Sequence, residues 1–148
     1  MKKYKSTIDR IRLSREKTDF VKAKIKSSTD AATYIRQFYH EDMTIYESAF
    51  ILLLNRSNNT IGYAKISQGG IAQTVIDAQI VAKYAIDTLA TGVIIAHNHP
   101  SGERKPSESD REVTERIKKV LEIFGCLLLD HVILTEDDHF SFADEGVL

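Results

Sequence analysis

Two histidines one residue apart, His97 and His99, stand at the end of the apolar run Val93-Ile94-Ile95-Ala96. Side chains of an extended chain alternate between faces, so both imidazoles fall on one side, where they can share one ion. Pro100, Gly102 and Pro106 then force a loop, and Ser107 opens a helical pattern with Asp110 in its first turn. A carboxylate there can swing back to the strand end as a third ligand. Two imidazoles and one carboxylate leave a fourth tetrahedral position for water, the pattern of catalytic rather than structural zinc. Such an ion lowers the pKa of water toward about 7 and polarises a carbonyl. The water also needs a proton acceptor that is not itself a ligand. Glu47, at the head of the apolar run Ser48–Leu54, is the candidate.

Each residue also has a plainer role open to it. A histidine pair at a strand end can be a hydrogen-bonded surface feature. Ser107-x-x-Asp110 has the form of a capping box, in which the serine bonds a first-turn N–H and the acid bonds back. Glu47 alone is a charged residue before a strand. The joint spacing is what favours chemistry.

That spacing, Glu47 upstream, then His97-x-His99, seven residues, Ser107, two residues and Asp110, resembles the JAMM signature of the JAB/MPN metalloprotease-like families. The wording of His97-Asn98-His99-Pro100-Ser101-Gly102, Pro106-Ser107, Asp110, Leu129-Asp130-His131 and Ser141-Phe142 is similar to the RadC family in particular, from about Ile25 to Leu148. The resemblance implies a JAB-type, cytidine deaminase-like α/β fold with Zn2+ on His97, His99 and Asp110. It implies Glu47 as the general base acting through a bound water and Ser107 as the group that positions or stabilises an oxyanion. In JAMM peptidases this arrangement hydrolyses peptide or isopeptide bonds. The RadC label of DNA repair names no reaction. RadC proteins often carry a helix-hairpin-helix segment ahead of this domain, for which residues 1–24 leave no room, so direct DNA binding is expected less. Asp77-Ala78-Gln79 replaces a usual basic residue, and Gly69-Gly70 a usual Gly-Thr, so substrate contacts are expected to differ.

The positioning elements follow from hydrophobic period. Thr7–Leu13 alternates and predicts an edge strand, and residues 14–27 read as a polar connector, so 1–24 form a basic strand and connector ahead of a domain over 25–148. Ser27-Ser28-Thr29-Asp30 predicts a helix start, with Ala31, Ala32, Ile35 and Phe38 inward and an end near His40. A strand over 47–54, turn formers at 55–59 and a strand over 61–66 closed by Gly69-Gly70 predict a hairpin. Asp77 caps a helix through Ile80, Val81, Tyr84, Ala85 and Leu89 that stops at Gly92. The strand Val93–His97 precedes a helix from Ser107 to Phe124, with Val113, Ile117, Val120, Leu121 and Phe124 inward and Gly125 as terminator. Strands at 127–134 and 140–142 flank an acidic turn. The class is α/β, a mixed sheet flanked by helices.

Among the remaining polar residues, His131 reads as a hydrogen-bonded core histidine, and Ser101 and Asn98 as groups that orient His99 or touch substrate. His40 and His139 read as surface residues and Cys126 as buried packing.

At 148 residues, 43% hydrophobic and 28% charged, the chain has the size of one domain. One cysteine excludes an intrachain disulfide, any site needing two thiolates and the Pro-Cys-x-x-Cys ligand pair of nucleobase deaminases. No apolar run approaches membrane-spanning length and no secretory leader is visible, so a cytoplasmic protein is expected. Net charge is −1, yet residues 1–27 carry ten Lys/Arg against three Asp/Glu, a basic arm that either contacts nucleic acid or lies against the acidic body. Three functions compete: a zinc hydrolase acting on a peptide or isopeptide, a metal-dependent DNA-processing factor, and a non-catalytic JAB-fold binding module.

Overall fold

The structure is a computed structural model that describes residues 6–40, 42–69 and 75–148. Among these residues lie helix α1 (Ser28–Arg36), strands β1 (Ser48–Leu54) and β2 (Thr60–Gln68), helix α2 (Ala78–Asp87), strand β3 (Gly92–Asn98), helix α3 (Glu108–Ile123) and strands β4 (Leu127–Leu134) and β5 (His139–Ser141). The sheet runs β2-β1-β3-β4-β5, and β3 and β4 form its one parallel pair among them, joined through α3. This is the mixed α/β sheet flanked by helices that the sequence predicts.

The two faces of the sheet are covered separately. Phe50, Leu52, Leu54, Ile94 and Ala96 pack under α1, whereas Ala49, Ile51, Leu53, Val93 and Ile95 pack under α2 and α3. Covering on both sides explains why every residue of β1 and β3 is buried and why both segments read as continuous apolar runs. Each large aliphatic side chain buried there contributes about 1.5–3 kcal/mol. The same parity directs the ends of the strands. His97, two residues beyond Ile95, faces the α3 side, and Asn98 faces the α1 side.

Helix ends follow local chemistry. Ser27 and Asp77 cap α1 and α2 by accepting the N–H of Asp30 and Gln79. At the end of α3, Gly125 takes φ +71° while the Cys126 N–H reaches the Leu121 carbonyl. The end of α2 has the same hydrogen-bond pattern, with Ala90 N–H on the Ala85 carbonyl, but the left-handed position at φ +56° is held by Leu89. The expected stop at Gly92 is therefore three residues late, and Gly92 begins β3.

Several expectations are corrected. Residues 7–13 form no strand; Ile8, Ile11 and Leu13 are exposed, because no described strand edge pairs with them. The connector is less plain than its polarity suggests. Phe20 packs edge-on against Phe38 and Tyr63, and Lys24 bridges Asn59 at the start of β2. Helix α1 ends at Arg36 rather than near His40, and β5 lies one residue earlier than expected. On α2 the buried stripe is Val81, Ala82 and Ala85, with Ile80, Tyr84 and Leu89 exposed; on α3 Phe124 is exposed and Thr114 is buried. Gly70, half of the predicted Gly69-Gly70 strand closure, lies outside the described residues, as do Met1 to Lys5. Among the described residues no helix is long and apolar enough to cross a membrane.

Candidate metal centre

The candidate site forms where the end of β3, the start of β1 and the first turn of α3 meet. Ala49 pairs with His97 across the sheet, and Glu47, just before β1 and two residues ahead of Ala49, comes to the same side of the sheet as His97. The geometry is close. The Nε2 atoms of His97 and His99 are 2.9 Å apart. Glu47 Oε1 lies 3.6 Å from the first and 3.8 Å from the second. Asp110 spans the pair, with Oδ1 3.3 Å from His97 Nε2 and Oδ2 3.4 Å from His99 Nε2. The ligand atoms of Glu47, His97 and His99 all lie within 4.8 Å of one another, a spacing that suits a shared ion.

Burial makes this cluster expensive without compensation. His97, Glu47 and Asp110 are all under a tenth exposed, and His99 is partly open. Burial on its own would raise the Asp110 carboxyl. The bonds to His97 and His99 and the Ser107 N–H outweigh it and hold that carboxyl well below the usual carboxylate range. For His99, burial pulls downward, but Asp110, the Glu103 carbonyl and Glu47 together leave its pKa raised. The site thus gathers negative charge and imidazole nitrogen around one point. That donor set fits a metal ion.

Capping and convergence turn out to be compatible. Ser107 Oγ accepts the Asp110 N–H at 3.0 Å and Asp110 Oδ2 accepts the Ser107 N–H at 2.8 Å, a complete capping box. The cap fixes the rotamer that turns Oδ1 toward His97. Ser107 itself is exposed and enters through this cap.

His99 is oriented by its loop. Its Nδ1 donates to the Glu103 carbonyl at 2.7 Å, which leaves Nε2 as the inward-facing atom. The chain returns to that carbonyl through a turn closed by Gly102 N–H on the His99 carbonyl, with Gly102 at φ +85°, a value an L side chain rarely tolerates. Ser101 Oγ accepts the Glu103 N–H at 3.4 Å and supports the same turn.

Asn98 departs from expectation. It neither orients His99 nor faces the cluster. Fully buried on the opposite face, its Oδ1 accepts the Ser48 N–H at 2.8 Å and its Nδ2 donates to the carbonyls of Met43 and Tyr46 at 2.6 and 2.7 Å. It ties down the segment that delivers Glu47.

His131 is a hydrogen-bonded core histidine, as its apolar surroundings predict, but its partners give it a place in the site. Its Nε2 lies 2.7 Å from His97 Nδ1, its Nδ1 lies 2.6 Å from Thr114 Oγ1, and its ring stacks on Phe142. Burial, followed by the charge of His97, drives its pKa well below the usual imidazole range. Thr114 carries no sequence motif. The available signal is its position, one helical turn after Asp110 on the buried face of α3. Asp130 holds the end of β4 against β5, accepting the N–H groups of His131 and Ala143 and the Ser141 hydroxyl. Cys126 is buried, His40 is exposed, and His139 is half-buried against Ser28.

A cleft of about 230 Å³ opens onto His97 and Asp110 and is walled by Val75, Ile76, Val113 and Arg116. Ser109 and Glu112 complete its lining, so polar and charged groups face it alongside the three apolar side chains.

Comparison with known proteins places this architecture. Proteins described as UPF0758 proteins are similar to the chain: one from Flavobacterium johnsoniae is 44% identical over 124 residues, covering 84% of this chain and 53% of the relative. Another from Aquifex aeolicus is 37% identical, covering 84% and 52%, and one from Thermotoga maritima is 36% identical, covering 93% and 60%. The chain spans about half the length of the curated relatives it matches. Since the model of the RadC-like JAB domain matches residues 25–147, the segment that carries the whole cluster, the chain belongs to the RadC family.

Proposed function

We propose that the chain is a zinc-dependent hydrolase of the JAMM type, cleaving an amide bond of a peptide or isopeptide. The observation that carries this reading is the convergence of two imidazole Nε2 atoms 2.9 Å apart with a carboxylate bridging both. His97, His99 and Asp110 would hold the metal; Asp110 addresses each histidine with a separate oxygen, at shorter distances than Glu47 achieves with one. When bound, the ion supplies Lewis-acid polarisation of the scissile carbonyl and of the attacking water. Glu47, beside the pair, takes a proton from that water and returns it to the leaving nitrogen, so that carboxylate and amine are released. Ser107, at the mouth of the loop, orients the developing oxyanion. The cleft beside His97 receives the residue next to the scissile bond.

The test is stoichiometric metal analysis and titration of the chain, with hydrolysis of peptide and isopeptide libraries read by mass spectrometry. Uptake of one zinc that disappears in both His97→Ala and Asp110→Ala is expected, and Glu47→Gln should keep the zinc and lose cleavage by about 10²–10⁴-fold. A folded chain that takes up no metal at neutral pH defeats the reading. Zinc uptake with no cleavage of any amide leaves the binding module in its place.

A further inference from the structure

The bonds behind His97 form a chain whose direction can be worked out from its far end. Thr114 Oγ1 lies 2.6 Å from the Asp110 carbonyl oxygen, a contact that two bare oxygens would not hold, so the single hydroxyl proton of Thr114 points there. Oγ1 then has only lone pairs to offer His131 Nδ1, also at 2.6 Å, and His131 must carry its proton on Nδ1. A neutral imidazole with Nδ1 protonated has a bare Nε2. That Nε2, at 2.7 Å, requires a proton on His97 Nδ1, and His97 Nε2 is left bare toward the cluster.

We propose that Thr114 and His131 act as positioning residues that set the tautomer of His97, presenting its Nε2 lone pair to the metal. The inference rests on the metal-site reading above and adds residues to it. Metal-bound histidines commonly donate their outer N–H to a carboxylate, a backbone carbonyl or water. His99 does so with the Glu103 carbonyl. His97 donates instead to a second, fully buried histidine, whose ring is clamped by Phe142 and whose own proton is committed to a helix-borne threonine. Where both rings are neutral, their bare nitrogens aim at each other across 2.9 Å, a repulsion that a shared proton or a metal cation relieves. The opposite chain direction would put a proton on His97 Nε2, satisfy His99 directly and make a metal compete with that proton.

The relay is tested on the 15N-labelled chain after chelator treatment, folded by its amide spectrum, at a pH about two units above the ordinary imidazole range. Long-range 15N–1H imidazole correlations report which nitrogen of each ring is protonated. Nδ1–H is expected on both His97 and His131. In Thr114→Val, which keeps the shape and removes the hydroxyl, His97 should become a mixture of tautomers and zinc affinity, measured by chelator competition, should fall about 10–100-fold. His131→Gln, whose amide oxygen can replace the lost acceptor, should hold affinity within a few-fold, whereas His131→Phe should lose it. Nε2–H on His97 in the wild-type chain, or an unchanged His97 tautomer in Thr114→Val, overturns the relay. Absence of zinc uptake by a wild-type chain with both Nδ1–H signals counts against the metal-site reading instead and leaves the tautomer assignment standing.

Discussion

Asn98 offers the sharpest test of how the site is held. Removal of its amide in Asn98→Ala deletes one buried hydrogen bond, to the Ser48 N–H, and two part-buried ones, to the Met43 and Tyr46 carbonyls. The stranded Ser48 N–H costs about 1–3 kcal/mol, and the two carbonyls recover part of their loss from water, so the total is about 2–4 kcal/mol. With a urea dependence of about 2 kcal/mol per molar, the middle of the typical range, the unfolding midpoint should fall by about 1–2 M. Asn98→Asp is the discriminating variant. Its Oδ1 can still accept from Ser48, but its second oxygen faces two carbonyl oxygens where Nδ2 stood at 2.6 and 2.7 Å. A buried carboxylate aimed at carbonyls should make it less stable than the alanine variant at neutral pH. The new acid's folded-state pKa is raised above its unfolded value. Stability is therefore fully present below the unfolded pKa and lost as pH rises through the folded one, so the deficit against Asn98→Ala should narrow on acidification. Urea titrations of the three proteins at neutral and mildly acidic pH measure this. An Asn98→Asp variant at least as stable as Asn98→Ala at neutral pH would show that the amide is not donating to both carbonyls and refute the assignment. If the proposed zinc hydrolase reading holds, both variants should keep metal uptake and lose hydrolysis, since the tether holds the approach to Glu47 rather than the imidazoles.

Two further perturbations are expected to act on stability. Asp130 accepts three hydrogen bonds, yet burial pushes its pKa up against the bonds from Ser141, Ala143 and His131. Its contribution is thus complete below the unfolded carboxylate range and falls as pH rises through the raised folded value, so thermal melts should show Asp130→Asn gaining on the wild type with rising pH. Asp130→Ala, which strands the two backbone donors, should lose about 2–4 kcal/mol; a wild type that instead gains on Asp130→Asn over that pH range would contradict the raised pKa. At the end of α2, Leu89 is 85% exposed in a left-handed conformation, so Leu89→Gly removes strain with little burial lost and should stabilise by about 0.5–1 kcal/mol in urea titration. An unchanged midpoint would mean that the Leu89 backbone is not strained.

The sequence by itself singled out Glu47, His97, His99 and Asp110 as candidates and the faces they occupy, and the fold brings these four side chains together. Strand alternation puts His97 opposite Asn98, and the capping box puts Asp110 in the first turn of α3, because both patterns are local and depend on one or two bonds per residue. The buried strands, the helix starts at Ser27, Asp77 and Ser107, and Gly125 as a terminator were legible for the same reason. Other features were decided only by tertiary contact. Alternation in Thr7–Leu13 predicts a strand, but a strand requires a partner edge, which no local pattern supplies. A helical period shows that α2 has an apolar face; only its packing neighbours decide that the stripe stops at Val81, Ala82 and Ala85 and leaves Tyr84 outside. Likewise Asn98, Thr114 and His131 are polar residues in buried positions whose roles depend on which carbonyl, imidazole or hydroxyl comes within 3 Å from distant parts of the chain. Hydrogen-bond direction is a property of the assembled network, and no spacing along the chain encodes it.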